Sequence, residues 1–144
     1  MNPRSHSQPQ GWHLHPQLAE DTHPVAQLEL SELRLMDDAN HPWLILVPRI
    51  EGAVEWIDLD DGKQDRLGRE ITAASRALRQ GFRPDKLNVA ALGNLVPQLH
   101  VHVIARFHDD IAWPKPVWGT ATARPYSPEK LVERVELIRS ALRT

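Results

Sequence analysis

The alternation of apolar and polar residues predicts a strand pair in the first third of the chain. Between residues 27 and 36 the leucines alternate with polar residues in two successive phases, which indicates one strand with a bulge at the phase change. The short apolar run WLILVP at 43–48 predicts a buried strand that ends at its proline. The composition of DDANHP, which lies between the two segments, is typical of a turn, so we expect a hairpin.

A long helix and a second pair of strands are predicted in the middle of the chain. Apolar residues recur at helical spacing over 67–78 with charged residues opposite, and Gly81 stands where a C-terminal cap is expected. Beyond the polar RPDK segment, residues 86–92 and 98–106 each have the composition of a strand. The sequence GNLVP between them indicates a bend.

The last helix has the clearest start signal in the sequence. Ser127 is a good N-cap residue, Pro128 suits the first helical position, and Glu129 is favoured at the positive end of the helix dipole. The apolar stripe of this helix consists of Leu131, Val135, Ile138 and Leu142. Since strand pairs precede and follow a long helix, the chain is predicted to have an α+β fold and not repeated βαβ units.

Composition and charge narrow the range of functions. The 144 residues are 41% hydrophobic and 25% charged with a net charge of −2, so the bulk composition favours neither nucleic-acid nor membrane binding. The lack of cysteine excludes disulfides and thiolate sites and agrees with a cytoplasmic location. The polar start of the chain predicts a disordered segment over 1–10 and a single domain over 11–144. Without a signal-peptide core or an apolar run of about 18 residues, a soluble protein is expected.

Gln98, His100 and His102 form a polar row on one face of the predicted strand 98–106. Since successive strand residues point to opposite faces, the intervening leucine, valines and alanine form an apolar face that is expected to pack on the long helix. Neighbouring members of the row would lie roughly 6.5–7 Å apart. The row is therefore a candidate site on an otherwise open face.

His13 and His15 have the same spacing as the histidines of the row, but their surroundings differ. Pro16 follows them directly and no sustained alternation surrounds them. The sequence WHLHP is therefore predicted to be a loop that enters a short helical turn, and we assign this pair a structural role.

The residues alone leave three interpretations of the row open. The two rings are satisfied, half-buried histidines on a sheet surface, or they chelate zinc or iron together with a distant Glu, Asp or His. In the third interpretation they form a site for a phosphate group. One imidazole would then act as a nucleophile while its neighbour donates a proton, and Asn94 with backbone N–H groups of the bend would bind the phosphate.

The stretch GNLVPQLHVHVIAR resembles the central motif of the histidine triad (HIT) superfamily, in which a glycine-containing bend precedes three histidines at alternate positions. The register that keeps the bend and the final arginine at the family's spacing places Gln98 first, His100 in the middle and His102 last. The order of elements over 25–106 is also similar, with a hairpin ending in LVPR, a long helix, an asparagine-containing strand and the motif strand. The WPKPVWG sequence that follows is similar to a proteobacterial HIT-like branch.

This resemblance implies a HIT-like fold, with an antiparallel sheet of about five strands, a long helix and a C-terminal helix. It also implies a nucleotide hydrolase or nucleotidyl transferase that needs no cofactor or metal and pairs as a homodimer. His100 would attack the α-phosphate of a phosphoramidate, phosphoester or anhydride and form a nucleotidyl-histidine intermediate, while His102 would bind phosphate oxygens and assist the leaving group. Asn94 and Asn88 would bind the nucleotide phosphate, and Asp37 a ribose hydroxyl.

Gln98 is the main departure from the family pattern. Glutamine donates and accepts hydrogen bonds but takes up no proton at neutral pH, whereas acid–base catalysis typically contributes a factor of about 10²–10⁴ in rate. The sequence leaves open a catalytic Gln98 in a slower enzyme, a nucleotide-binding module with weak or no catalysis, and a His-based metal site. Trp113 and Trp118 also remain to be placed, at a base pocket, in a dimer interface or at the domain edge.

Overall fold

The computed structural model describes residues 11–144, so the segment 1–10 that is predicted to be disordered lies outside the described residues. Within 11–144 the chain forms a five-stranded antiparallel sheet and three α-helices, which confirms the α+β fold. The strands are β1 (Thr22–Gln27), β2 (Ser31–Met36), β3 (Trp43–Pro48), β4 (Lys86–Ala90) and β5 (Val101–Arg106). The helices are α1 (Pro16–Asp21), α2 (Asp61–Phe82) and α3 (Pro128–Leu142), with a 3₁₀ turn at Trp56–Asp58. The strands follow the order β1-β2-β3-β5-β4 in the sheet.

The prediction of one bulged strand over 27–36 is wrong, because the phase change in its leucines marks a turn. β1 ends before this change and β2 begins after it, and the Leu28 N–H donates to the Ser31 carbonyl (2.9 Å) across the turn. The two strands pair antiparallel, with a register shift between Pro24 and Ala26. β1 has no apolar alternation in its sequence and contains a proline, which a sheet tolerates at an edge strand or a bulge.

The long helix extends further than its apolar pattern indicates, and its C-terminal cap differs from the prediction. Asp60 caps the N-terminus by accepting the Lys63 N–H (2.9 Å), and Arg83, not Gly81, adopts the left-handed conformation at the end (φ 51°). The periodic apolar residues mark only the buried part of a helix, so the exposed ends carry no such signal. The last helix begins after Ser127, as predicted. Within 11–144, no helix combines the length and the apolar character that crossing a bilayer requires.

The two strands on either side of the GNLVP bend are shorter than predicted. β4 ends two residues earlier and β5 starts three residues later, so residues 91–100 form an irregular connection. Gly93 has a positive φ of 68° in this connection, which glycine adopts without the steric penalty of a side chain. Gln98 and His100 therefore stand on the approach to β5, outside its ladder.

The two faces of the sheet carry separate apolar clusters. On one face, the alternate apolar residues of the motif strand pack with the buried side of α2, as predicted. On the face of the histidines, the N-terminal segment and the loop after β5 contribute to a second cluster. It consists of Trp12, Leu18, Trp43, Ile45, Val47, Ile104 and Val117. The histidine face is thus enclosed, and the open face expected from the sequence is not observed.

Candidate active site

His100 and His102 lie side by side on the enclosed face, with ring centroids 5.0 Å apart and ring planes at 65°. The two residues are 6% and 4% exposed. Strand geometry explains the pairing, because the residue between them points to the other face of the sheet. β3 lies alongside and places Ile45 opposite His102. The rings are thus buried more deeply than a half-exposed row on a sheet surface would be.

The tautomer of His100 is set by a backbone carbonyl. Its Nδ1 lies 2.7 Å from the carbonyl oxygen of Gln98, which can only accept a hydrogen bond. In the neutral ring Nδ1 therefore carries the proton and Nε2 holds the lone pair. A ring in this state is a nucleophile that keeps its other nitrogen protonated and hydrogen bonded.

His102 has the opposite tautomer. The indole Nε1–H of Trp43 donates to Nδ1 of His102 over 3.0 Å, and since this indole group is only a donor, Nδ1 holds the lone pair and Nε2 the proton. Burial, and then the neighbouring His100, lower the pKa of His102 to about 3. At neutral pH the ring is therefore uncharged and offers one N–H donor next to His100.

Trp118 forms an aromatic wall over this pair. Its ring centroid lies 5.0 Å from that of His102 and 5.7 Å from that of Trp43, with its plane nearly perpendicular to both. The residue is 36% exposed, so part of the indole seals the ring of His102 and part faces solvent. The sequence leaves the place of Trp118 open, and the structure puts it against the candidate site.

Arg106 connects the motif strand to the loop that carries Trp118. Its buried guanidinium donates from Nε and Nη2 to Asp110 (2.8 and 3.1 Å), from Nη1 to Asn88 (2.8 Å) and from Nη2 to the Lys115 carbonyl (2.8 Å). It also lies over the ring of Trp113, 5.5 Å from the ring centroid. Arg106 therefore joins β4, β5 and this loop.

Asp110 is the counter-charge of Arg106 and fixes the turn after β5. Burial raises the pKa of Asp110, but hydrogen bonds from Arg106 and from the backbone amides of Phe107 and Ala112 outweigh burial and hold this pKa well below its ordinary value. The carboxylate is thus ionised at neutral pH. Sequence reasoning missed this residue, because only the fold brings its hydrogen-bond donors together.

Gln98 uses both ends of its side-chain amide to bind backbone groups. Nε2 donates to the His13 carbonyl and Oε1 accepts the His15 N–H, both over 2.8 Å. His15 itself precedes α1 and its Nδ1 accepts the Gln17 N–H (3.0 Å), which matches the predicted loop and helical turn. The contact with Gln98 joins residues 83 and 85 positions apart, and nothing in the local sequence indicates it.

Asn88 and Asn94 differ in how firmly they are held. Asn88 lies opposite Ile104 in the β4–β5 ladder, on the histidine face, and its Oδ1 accepts from Arg106. This bond sets which end of the amide is the oxygen and leaves Nδ2 as the donor. Asn94 is exposed in the irregular connection, directly after Gly93.

Asp37 bonds to β1 and to the segment before α3. Its Oδ1 is 3.1 Å from Nε2 of His23 and accepts the Tyr126 N–H at 3.0 Å. Burial raises the pKa of Asp37, but the hydrogen bonds from Tyr126 and His23 outweigh burial and lower it. Neither of these partners belongs to the histidine pair, while Trp43, which follows the turn 37–42, bonds to His102. The role of Asp37 at a ribose hydroxyl therefore stays a prediction.

The two imidazoles lie against the indole rings of Trp43 and Trp118 and the carbonyl group of Gln98. Among residues 11–144, no three His, Asp or Glu side chains are grouped as ligands for a metal ion. The site combines a nucleophilic nitrogen on His100 with an N–H donor on His102, in surroundings of low polarity. Such a pair suits attack on a phosphoryl group, whose oxygens accept hydrogen bonds.

Comparisons with known proteins agree with this arrangement. The model of the HIT domain family matches residues 17–109. A histidine triad protein from Bradyrhizobium japonicum has a TM-score of 0.89 and 49% identity, over 91% of this chain and 98% of that chain. The histidine triad protein from Marinobacter aquaeolei has a TM-score of 0.89 and 43% identity, over 92% and 96% of the two chains. That from Sinorhizobium meliloti has a TM-score of 0.89 and 38% identity, over 91% and 97%. No curated protein gives a significant match.

Proposed function

Because the chain belongs to the HIT domain family, we propose that it is a nucleotide hydrolase or nucleotidyl transferase that reacts at the α-phosphate of its substrate. The observation that carries this proposal is the complementary pair of tautomers, with a lone pair on Nε2 of His100 and an N–H on Nε2 of His102. The substrate is a nucleotide conjugate with a phosphoramidate, phosphoester or anhydride bond.

In the first step, Nε2 of His100 attacks the α-phosphorus, and the bond from phosphorus to the leaving group breaks as the new P–N bond forms. The ring then carries a positive charge, which the Gln98 carbonyl stabilises through the Nδ1–H bond. In the second step, water attacks the phosphorus and displaces Nε2. This releases the nucleoside monophosphate and one proton and restores His100; a different acceptor in place of water gives transfer.

His102 acts in this scheme as a hydrogen-bond donor to a phosphate oxygen. With a pKa of about 3 it carries no extra proton at neutral pH, so it cannot act as a strong acid in the free protein. A second proton would have to sit on Nδ1, where it would face the indole N–H of Trp43, which is also a donor. We therefore assign the proton of the leaving group to solvent water, and to His102 the Nε2–H hydrogen bond that helps the leaving group depart.

The remaining site residues take supporting roles. Nδ2 of Asn88 and the side chain of Asn94, with backbone amides near Gly93, bind phosphate oxygens. Trp118 offers the exposed part of its indole to the base or to the leaving group. The contact between Asp37 and a ribose hydroxyl stays a prediction, and the present partners of this carboxylate do not favour it.

The chain fits a bacterial HIT-like branch in which Gln98 takes the first position of the triad. Both ends of its amide are engaged with backbone, so Gln98 performs no proton transfer in this scheme. The same fact favours a second candidate function, a nucleotide-binding module with little catalysis. The two candidates differ only in turnover, because both require nucleotide binding beside His100.

Hydrolysis of adenosine 5′-phosphoramidate tests the proposal. The wild-type protein is expected to release adenosine monophosphate, and His100→Ala to lower kcat/KM by at least about 10³, since the nucleophile is lost. His108→Ala is the matched control, because His108 is exposed and lies outside the site. Undiminished activity in His100→Ala would overturn the nucleophile assignment, and nucleotide binding without turnover in the wild type would select the binding module.

A further inference from the structure

The two bonds from Gln98 reach a carbonyl and an N–H that lie two residues apart in the N-terminal segment. These are the His13 carbonyl and the His15 N–H, both at 2.8 Å. At His15 the chain has φ −56° and ψ 135°, close to the polyproline II conformation. A primary amide presents an acceptor and a donor side by side and matches this pair.

Histidine at position 98 does not provide the same match. The two nitrogens of an imidazole lie on different sides of the ring, and a neutral ring has one donor and one acceptor that diverge. Only one of the two backbone groups can then be satisfied in this geometry. The amide of Gln98 is thus suited to its backbone partners in a way that the usual triad histidine is not.

The segment that Gln98 holds forms one side of the histidine face. Trp12 is buried with Ile45 and Val47 of the neighbouring strand, and the partly buried Leu14 and Val96 pack against the same cluster. Gln98 comes two residues before His100 in the chain, whereas the loop that carries Trp118 comes after His102. The N-terminal segment therefore lies next to the nucleophile.

We infer that Gln98 is a positioning residue, which fixes residues 12–15 as a wall of the substrate site beside His100. On this inference the glutamine is not the remnant of a lost acid–base group, and its contribution is to substrate binding. The kinetic part of the inference rests on the proposed function, whereas the structural part does not.

The test compares Gln98→Leu and Gln98→Glu with the wild-type protein. The leucine variant loses both bonds, and the glutamate variant keeps the acceptor for His15 but places a carboxylate against the His13 carbonyl. Amide exchange at His15 is expected to become about tenfold faster in the leucine variant. KM for adenosine 5′-phosphoramidate is expected to rise about tenfold while kcat changes by less than about threefold.

Gln17→Leu is the matched control, because Gln17 lies two residues after His15 and its side-chain amide bonds to Asp21 within α1. It should leave exchange at His15 and KM unchanged. The inference is overturned if exchange at His15 is the same in all four proteins, or if kcat falls about 10²-fold with an unchanged KM. If Gln98→Leu does not fold, the same two readouts in Gln98→Met decide, because methionine has a similar length and also lacks both bonding groups.

Gln98→His separates this inference from the idea of a lost catalytic group. We expect faster exchange at His15 and weaker binding of adenosine monophosphate by titration calorimetry. A rise in kcat with unchanged exchange would instead show that histidine restores catalysis and would overturn the inference. If the wild-type protein has no turnover at all, the proposed function fails, while exchange and calorimetry still test the wall.

Discussion

The charge state of single side chains decides what the site can do. For His102 the lowered pKa has an effect on folding stability that can be measured. The unfolded chain takes up a proton on this ring near pH ~6.5, whereas the folded ring does so only near its lowered pKa of about 3. Between these values the unfolded state binds more protons, so folding stability falls as the pH decreases through this range. The contribution of the neutral His102 ring to folding stability is complete above pH ~6.5. Below this pH, the free energy of unfolding decreases with a slope that approaches about 1.4 kcal/mol per pH unit.

His102→Gln removes the titrating ring and should remove this part of the slope. Urea unfolding of the variant and of the wild-type protein between pH 7 and pH 4 measures the difference. Val132→Gln serves as the control, since it introduces the same side chain at an exposed position of α3 without removing a titratable group. Equal slopes in the wild-type protein and in His102→Gln would mean that the folded state does not favour the neutral ring.

The sequence indicates some of these residues and not others, for a physical reason. The alternation of side chains puts His100 and His102 on one face, and the face opposite them packs as predicted. The tautomer of His102 depends on Trp43, which is 59 positions away, and the partners of Gln98 are still more distant. Such contacts follow from the complete fold and have no local pattern.

Among the elements, the loop after β5 depends on a buried ion pair. The side chains of Arg106 and Asp110 are 2% and 4% exposed and lie 2.8 Å apart. Asp110→Asn leaves the guanidinium buried without its counter-charge, which should cost about 3–5 kcal/mol in the free energy of unfolding. Since Trp118 is carried by the same loop, kcat/KM for adenosine 5′-phosphoramidate should fall as well.

Urea unfolding at pH 7 measures this loss, with Asp109→Asn, an exposed neighbour, as the control. The pKa of Asp110 is held below its ordinary value, so its contribution is present above the unfolded value of ~3.9 and disappears only as the pH falls through the lower folded pKa. The difference between wild type and Asp110→Asn should thus be constant from pH 5 to pH 8. A cost no greater than that of Asp109→Asn would contradict the role given to this pair.

The elements themselves were predictable to the extent that burial is periodic along the chain. α3 has both a stripe and a cap signal and is found where predicted, while α2 extends beyond its apolar residues because its ends are exposed. β1 lies at a sheet edge with Pro24 in it, so it has no alternating pattern to detect. The phase change in 27–36 was visible, but a bulge and a tight turn give the same pattern.

At the scale of the whole molecule, the C-terminal helix contacts both the first strand and the end of the long helix. Arg139 of α3 donates to the Val25 carbonyl of β1 (2.7 Å), and the guanidinium of Arg134 lies over the ring of Phe82 at the end of α2 (5.1 Å). These contacts support the prediction that residues 11–144 form a single domain. The opposite edge of the sheet, at β4, has no such cover from another strand within the described residues.

That edge supports the predicted homodimer. β4 is the last strand of the sheet, and the apolar residues on and after it are exposed: Val89 by 50%, Leu92 by 48% and Leu95 by 96%. A second copy that pairs antiparallel with β4 would satisfy the free strand edge and bury these side chains.

We expect sedimentation equilibrium to give twice the chain mass of 16.4 kDa, and Val89→Lys to shift the protein towards the monomer. Val132→Lys, at an exposed valine of α3, should leave the mass unchanged, whereas a monomeric wild-type protein would refute the assembly.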